Sequence, residues 1–376
     1  MRADASATPT PATLKSQHEM TVCNACRYCE SYCPVFQAME ERLTFSSGDI
    51  AYLANLCHNC GECLYACQYA PPHEFGIDVP RTFSALRVES YEAAAWPAFA
   101  AGLFRSPWGT VLVALVIAAI VVTELAGRSA SGRGDFYSAI PHAVMVTIFG
   151  IAALFAVVAL TVGYRRFAVL VLADPNRLRA SSVVGSEGAR RGGKVDAARD
   201  VFRLTHLHTT GQDCTDAEET RRPWRRWMHH CTFYGFLLCA ASTSVAAIYH
   251  LFGWLAPYDY TSVPVVLGTA GGLALLIGTT GLFLVDRGRD PDLTHHAERW
   301  LDDAFLAMLF ATSVTGLVLL ALREGAWMRE LLIVHLAFVL ALFVTIPYGK
   351  FVHGIYRAAA LVKFRRETKH EVTKTI

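Results

Sequence analysis

The chain has 376 residues, of which 53% are hydrophobic and only 18% charged, and its mean hydropathy is +0.32. These values exclude an ordinary soluble enzyme, because soluble domains carry about 25% charged residues. The formal net charge of +2, with no concentrated basic domain outside the loops that flank apolar segments, also argues against a nucleic-acid-binding protein.

Residues 1–20 are rich in Ala, Thr and Pro, which predicts a flexible tail. They contain neither a basic n-region nor an apolar h-region, so we expect no signal peptide and a cytoplasmic location. Residues 21–95 are predicted to form a small domain with short helices but no long apolar face. Cofactors would therefore have to supply its core.

Two cysteine motifs lie in this small domain, each spaced C-x2-C-x2-C-x3-C. This is the bacterial ferredoxin spacing, in which the fourth cysteine of each motif binds the other [4Fe–4S] cluster. The pattern predicts two clusters, either in a ferredoxin-like fold or in an α-helical one. The predicted ligands are Cys23, Cys26, Cys29 and Cys67 for one cluster, and Cys57, Cys60, Cys63 and Cys33 for the other.

Zinc and disulfides are the alternatives for these cysteines. Structural zinc sites use pairs of C-x2-C, in which a third cysteine at the same step has no role. Disulfides are disfavoured in a cytoplasmic segment. Cys214, in the later TTGQDCTDAEE segment, has no assigned role.

Six apolar segments follow, and each reaches the roughly 20 residues that a helix needs to cross a bilayer. They are 108–126, 140–164, 231–254, 263–285, 301–322 and 331–352. The predicted fold is an all-α membrane protein with a six-helix, haem-binding bundle. Its parts are 96–165 (two spans), 166–229 (a basic cytoplasmic loop), 230–356 (four spans with the haem sites) and 357–376 (a cytoplasmic tail).

The basic residues concentrate on one side of these spans, which predicts that both termini are cytoplasmic. The segment between spans two and three contains thirteen of the 34 Lys and Arg residues, whereas the opposite loop, APYDYTS, has none. The basic residues of that segment are Arg165, Arg166, Arg177, Arg179, Arg190, Arg191, Lys194, Arg199, Arg203, Arg221, Arg222, Arg225 and Arg226.

Histidines at the ends of the spans are candidate haem ligands, because ionisable residues in membrane helices are costly unless paired or ligated. On one continuous helix, His335 and His353 would lie five turns and roughly 27 Å apart on the same face. We therefore predict an inner haem between His230 and His353.

An outer haem is predicted between His250 and His335. Helical phase keeps His229 as a competitor of His230, since His229 lies only about 60° from His250. His142 competes in the same way with His250.

The haem-binding helices of respiratory nitrate reductase and heterodisulfide-reductase-type cytochrome b subunits resemble two segments here, RRWMHHCTFYGF and LIVHLAFVLALFVTIPYGKFVHGIYR. The resemblance assigns haem ligation to His230, His335 and His353, with quinone or quinol bound beside one haem. It departs where that family has a second histidine about three turns after the first, because this chain has Ala240 and Ala241.

A closer resemblance covers nearly the whole chain. A double cluster motif fused before six spans, together with TTGQDCTDAEETRRPWRRWMHH and APYDYTSVPVVLGTAGG, is similar to the tricarballylate utilisation protein B family, also called CitB. That resemblance implies reoxidation of the reduced flavin of a partner dehydrogenase, such as tricarballylate dehydrogenase, and electron delivery to the membrane quinone pool.

The sequence thus predicts an electron-transfer protein of the inner membrane, with no substrate carboxylate site of its own. Lys350, Tyr348, Arg225 and Arg226 are candidate quinone contacts or interfacial anchors. The alternatives are a redox-sensing iron–sulfur protein and a subunit of a different respiratory oxidoreductase. A transporter is disfavoured, because the middle of each span is almost entirely apolar.

Overall fold

A computed structural model describes residues 9–127, 140–172, 187–209, 212–213, 224–254 and 256–372. Within these ranges the chain is helical apart from loops and a two-residue antiparallel hairpin, His208–Thr209 with Gln212–Asp213. The N-terminal domain contains α1 (Pro11–Cys26), α2 (Pro34–Glu40), α3 (Ser47–Leu56), α4 (Glu62–Tyr65) and α5 (Val79–Ala94). The later helices are α6 (Pro107–Gly127), α7 (His142–Leu172), α8 (Glu187–Arg203), α9 (Trp224–Leu251), α10 (Val263–Arg287), α11 (His296–Ala321), α12 (Met328–Thr345) and α13 (Val352–Val372).

The first helix begins inside the segment that the sequence predicts to be a flexible tail. Thr10 caps α1 by accepting a 3.1 Å hydrogen bond from the Thr13 amide, and Pro11 occupies the first turn, where its missing N–H costs nothing. Met20 and Glu19 on this helix are fully buried. The tail prediction is therefore wrong from residue 11 onward, because composition alone does not reveal a cap.

The N-terminal domain has an apolar core of its own, contrary to the expectation that cofactors would have to supply it. Tyr52, Phe83 and Tyr91 are fully buried in this core. The membrane helices extend it, since Tyr356 of α13 stacks on Phe167 of α7 with ring centroids 4.6 Å apart. The domain and the helical bundle therefore share one continuous core.

Among the residues that the structure describes, six helical segments are long and apolar enough to cross a membrane, as the sequence predicts. The chain is accordingly a multi-pass membrane protein with a helical N-terminal domain. The segments are Pro107–Ala126, His142–Leu172, Trp224–Leu251, Val263–Arg287, His296–Ala321 and Met328–Glu367.

The last of these segments is broken in the middle, which corrects the prediction of one continuous helix. α12 ends at Thr345, a 3-10 turn covers Ile346–Tyr348, and α13 begins at Val352. Pro347 has no amide hydrogen to donate, and the extended backbone of Gly349 redirects the chain. His335 and His353 therefore lie on different helices, and the five-turn phase relation between them does not hold.

A buried ion pair joins the N-terminal domain to the membrane helices. Arg87 of α5 donates two hydrogen bonds to the Glu298 carboxylate of α11, at 2.6 and 2.5 Å, and both side chains are buried. Lys350 also contacts Glu298, at 2.7 Å. Burial alone would lower the pKa of Arg87, but the charge and hydrogen bonds of Glu298 hold it above its usual value. This pair fixes the position of α5 against the bundle.

We expect Arg87→Met to destabilise the protein by about 3–5 kcal/mol, because a buried carboxylate would lose its main partner. Arg81→Met is the matched control. Arg81 also lies on α5, but its ion pair with Asp292 is exposed, with side chains 49% and 76% accessible, and such pairs contribute about 0–1 kcal/mol. Thermal unfolding in detergent, followed by circular dichroism, measures both variants. Equal losses would contradict the assignment.

Candidate functional site

The structure brings the eight N-terminal cysteines to two neighbouring cavities. Set I, which is Cys23, Cys26, Cys29 and Cys67, lines a cavity of about 220 Å³. Set II, which is Cys33, Cys57, Cys60 and Cys63, lines a smaller cavity, and its Cys63 also reaches the cavity of set I. Each motif therefore sends its fourth cysteine to the other set.

Each set contains thiols in surroundings that disfavour their charge. Burial, followed by the charges of Cys67, Cys26 and Glu62, raises the pKa of Cys29 to about 12. Burial also raises the pKa values of Cys33 and Cys63 well above the usual range. Because iron binds thiolates, loading of these sets must release protons.

Among the described residues, no three His, Cys, Asp or Glu side chains converge as they would around one metal ion. A four-iron cube needs a wider arrangement, because each thiolate binds a different iron. The two sets supply four thiols each, which is the complement that such a cube takes.

The loops that carry the two sets share a backbone feature. Arg27 and Gly61 each follow the second cysteine of their motif, and both have positive φ, 54° and 88°. At Gly61 a side chain would also be too close to Leu293, since a Cβ atom would lie 2.9 Å from Leu293 Cδ2. Glycine at position 61 avoids both the cost of a positive φ and this close contact with Leu293.

The set II loop is the segment Cys57–Cys60. Its two central residues, His58 and Asn59, face the membrane helices. His58 in this loop is buried and lines both the set II cavity and a larger cavity in the bundle. Arg225 of α9 donates a 2.9 Å hydrogen bond to the His58 carbonyl, and the Asn59 amide group donates to Thr294 Oγ1 at 2.7 Å. The loop is therefore held by the membrane part of the chain.

The larger cavity has a volume of about 400 Å³ and opens among α9, α10, α11 and α13. Four phenylalanines line its apolar part, whereas basic and acidic side chains line the end near the set II loop. The phenylalanines are Phe233, Phe236, Phe305 and Phe351. A site of this kind suits a flat apolar group with charged substituents at one end.

His229 and His353 face each other across this cavity, with ring centroids 6.2 Å apart and planes at 71°. Two imidazoles that ligate one metal from opposite sides have centroids about 6 Å apart, because each metal–nitrogen bond is about 2 Å long. His353 Nδ1 donates to the Lys350 carbonyl, which leaves Nε2 as a ligand atom. His229 Nδ1 is buried without a hydrogen-bond partner among the described residues. The pair could hold a metal centre.

The other predicted ligands lie elsewhere. The sequence pattern pairs His230 with His353, but His230 stacks instead on Tyr234, with centroids 5.7 Å apart, because it points to another face of α9. His229 takes the place next to His353, as the helical phase allows.

At the other end of α9, His250 stacks on His142 of α7, with centroids 3.4 Å apart. These rings are too close to admit a metal between them without moving. His335 Nδ1 lies 3.1 Å from Thr315 Oγ1, and its ring packs so closely on Gly316 that a Cβ there would lie 2.9 Å from His335 Cε1. His142, which the sequence analysis gives as the competitor of His250, thus contacts His250 directly.

Sequence reasoning missed two arginines beside the set II loop. Arg357 donates to the Cys57 carbonyl at 2.6 Å, and Arg289 donates to the Asn59 carbonyl. The sequence interpretation used their charge only to orient the spans, since nothing in the sequence shows which basic residues turn towards the cysteines. Tyr348, a candidate quinone contact, is buried and donates to the Trp96 carbonyl at 3.0 Å. Cys214 lies outside the described residues.

Comparisons with known proteins cover nearly the whole chain. The profile of Citrate utilization protein B matches residues 99–374, and that of the Citrate utilization protein B Fer4-like domain matches residues 16–93. The chain is 45% identical over 358 residues to a protein of Escherichia coli called Citrate utilization protein B, covering 93% of this chain and 91% of that protein. No solved structure matches the chain.

We expect the purified protein to contain about eight non-haem irons, in two cubes of four. Cys60→Ser should lower this number to about four or fewer, because set II loses a thiolate. Cys231→Ser, in the membrane helix α9, is the matched control and should leave the iron content unchanged. Colorimetric iron and sulfide determination measures the three proteins, and an equal loss in both variants would contradict the assignment of set II.

Proposed function

Since the chain belongs to the citrate utilization protein B family, we propose that it is a membrane electron-transfer protein. It reoxidises the flavin of a partner dehydrogenase and passes electrons through two [4Fe–4S] clusters and b haem to the quinone pool. One observation carries this proposal: His58, within the set II loop, lines both the cysteine cavity and the cavity of His229 and His353. Electrons leaving set II would therefore enter the membrane part directly.

The clusters would supply one-electron chemistry between a two-electron flavin and a two-electron quinone. The chain's own contribution is ligation and spacing. Set II is locked against the bundle by Arg87 and Glu298 through α5, and by Arg225 through the loop carbonyls. The distance from set II to the membrane cavity is thus fixed by buried polar contacts.

The inner haem would be held by His229 and His353, since their ring separation fits one metal between two imidazoles. The phenylalanine-lined end would receive the apolar macrocycle.

A second haem would involve His250 and His335, with His142 as the competitor of His250. The His142 and His250 rings would have to separate by about 3 Å to ligate one metal from opposite sides. The Thr315 contact of His335 Nδ1 would leave its Nε2 available for ligation. We assign the inner haem to the electron path and keep these residues as ligands of an optional outer one.

The N-terminal domain would face the cytoplasm. Arg166 at the end of α7 donates to the Ala95 carbonyl, so the arginine-rich ends of the spans and the N-terminal domain lie on one side of the bundle. Basic loops stay on the cytoplasmic side during membrane insertion. The flavoprotein partner, a tricarballylate dehydrogenase or a related enzyme of tricarboxylate or dicarboxylate oxidation, would dock there, on the side of set I.

The histidine pairing can be tested by haem content. His229→Ala and His353→Ala should each remove the inner b haem, because one imidazole alone holds the iron weakly. His230→Ala is the matched control, one residue away on the same helix, and should retain it. Reduced-minus-oxidised spectra with haem quantification measure all three, alongside iron content. Haem lost in His230→Ala and kept in His229→Ala would overturn the pairing.

Quinone reduction can be tested in nanodiscs. Protein reduced with dithionite, then freed of reductant and mixed with a short-chain ubiquinone or menaquinone, should be reoxidised within seconds at both clusters and haem. His353→Ala should keep its cluster signals and lose at least tenfold in rate, because electrons no longer cross the inner site. Clusters that remain reduced in the presence of quinone would instead indicate a sensor without electron transfer to the membrane.

A further inference from the structure

Three arginines converge on the backbone of the set II loop. Arg225 donates to the His58 carbonyl at 2.9 Å, Arg357 donates to the Cys57 carbonyl at 2.6 Å, and Arg289 donates to the Asn59 carbonyl. They come from three different elements: α9, α13 and the segment after α10. Their guanidinium groups therefore surround one side of set II at close range.

Two of these arginines lack a carboxylate partner among the described residues. In the part of the chain that the structure describes, neither Arg225 nor Arg357 forms an ion pair with a carboxylate, whereas the nearby buried cations Arg87, Lys350 and Lys363 all do. A half-buried cation without a counterion is costly. This arrangement favours an anionic group in the space beside it.

The surroundings of set I differ from those of set II. The buried Glu19 carboxylate acts on Cys23 and disfavours negative charge there, whereas Glu62 acts on Cys29 but also lines the set II cavity. The one arginine in the set I loop, Arg27, is exposed and donates to the Asn24 carbonyl at 3.1 Å, where solvent weakens its field. The three arginines that contact the set II loop thus place more positive charge beside set II than Arg27 places beside set I.

A cluster gains one negative charge when it is reduced, so a nearby cation favours its reduced form and a nearby carboxylate disfavours it. We propose that Arg225, Arg289 and Arg357 hold the reduction potential of the set II cluster above that of the set I cluster. Electrons then pass downhill from set I to set II and leave towards the membrane. This inference rests on the proposed function, since it requires both clusters.

Transfer between the clusters moves a single electron. One electron leaves the reduced set I cluster and reduces the oxidised set II cluster, and no bond is broken and no proton moves. The reduced flavin of the partner supplies the electron, and the membrane acceptor removes it. The three arginines act as positioning and tuning residues, because they touch the ligand loop and not the reacting atoms.

Redox titration of the purified, iron-loaded protein, followed by electron paramagnetic resonance, tests the order of potentials. The set II cluster should be reduced first, and its signal is identified by its retention in Cys26→Ser and its loss in Cys60→Ser. Reduction of the set I cluster first would overturn the inference even without any arginine variant. Absence of iron would instead refute the proposed function.

Arginine variants test the cause. Arg225→Gln and Arg357→Gln should each lower the equilibrium constant for reduction of the set II cluster about tenfold. This corresponds to a decrease of about 59 mV in its one-electron potential, while the potential of the set I cluster stays unchanged. Arg357→Lys keeps the charge and should retain most of the potential. Arg105→Gln, which removes an exposed arginine paired with Glu92, is the control and should shift neither cluster.

Three outcomes would overturn the assignment to local charge. They are an unchanged set II potential in both glutamine variants, an equal shift of both clusters, and a lysine variant as low as the glutamine variant. A variant that fails to load iron is recognised by iron analysis, and the order of potentials in the unmodified protein then decides the question.

Discussion

The ion pair of Arg87 and Glu298 is the contact on which the rest of the structure depends. It places opposite charges in a dry interface, where each is tolerated only because the other is present. Lys350 extends the pair to Asp302, so that α5, α11 and the turn before α13 share one polar network. The apolar core around Tyr91 and Tyr356 closes over this network. The cysteine sets thereby keep a fixed position relative to the membrane cavity.

Much of this architecture can be predicted from the sequence, because its causes are local or compositional. Ligand spacing alone assigns Cys33 and Cys67 to opposite sets, and uninterrupted apolar length alone gives six spans. The predictions failed where a single residue changes the relative orientation of residues far apart along a helix. Pro347 breaks the last segment, and the facing of His335 and His353 is lost with it. The choice of His229 over His230 depends on how α9 rotates against α13, which helix packing decides.

The polar partners of the membrane helices were beyond prediction for a different reason. Lys350 is neutralised by residues about fifty positions earlier, and Arg357 contacts a loop three hundred positions away. A basic residue at the end of a span has the same sequence signature whether it anchors the helix to headgroups or turns towards a cofactor. Only the packing of the N-terminal domain on the bundle distinguishes the two.

The exchange of Cys33 and Cys67 between the two sets has a consequence for biogenesis. Neither cysteine motif can complete its own cube, so a nascent chain that has exposed only the first motif holds three of the four thiols it needs. The thiols of set II are complete once residue 63 has been made, and those of set I only at residue 67, so that completion of both draws α2 and α4 together across the domain. Neither cube can therefore form before the second motif has been synthesised.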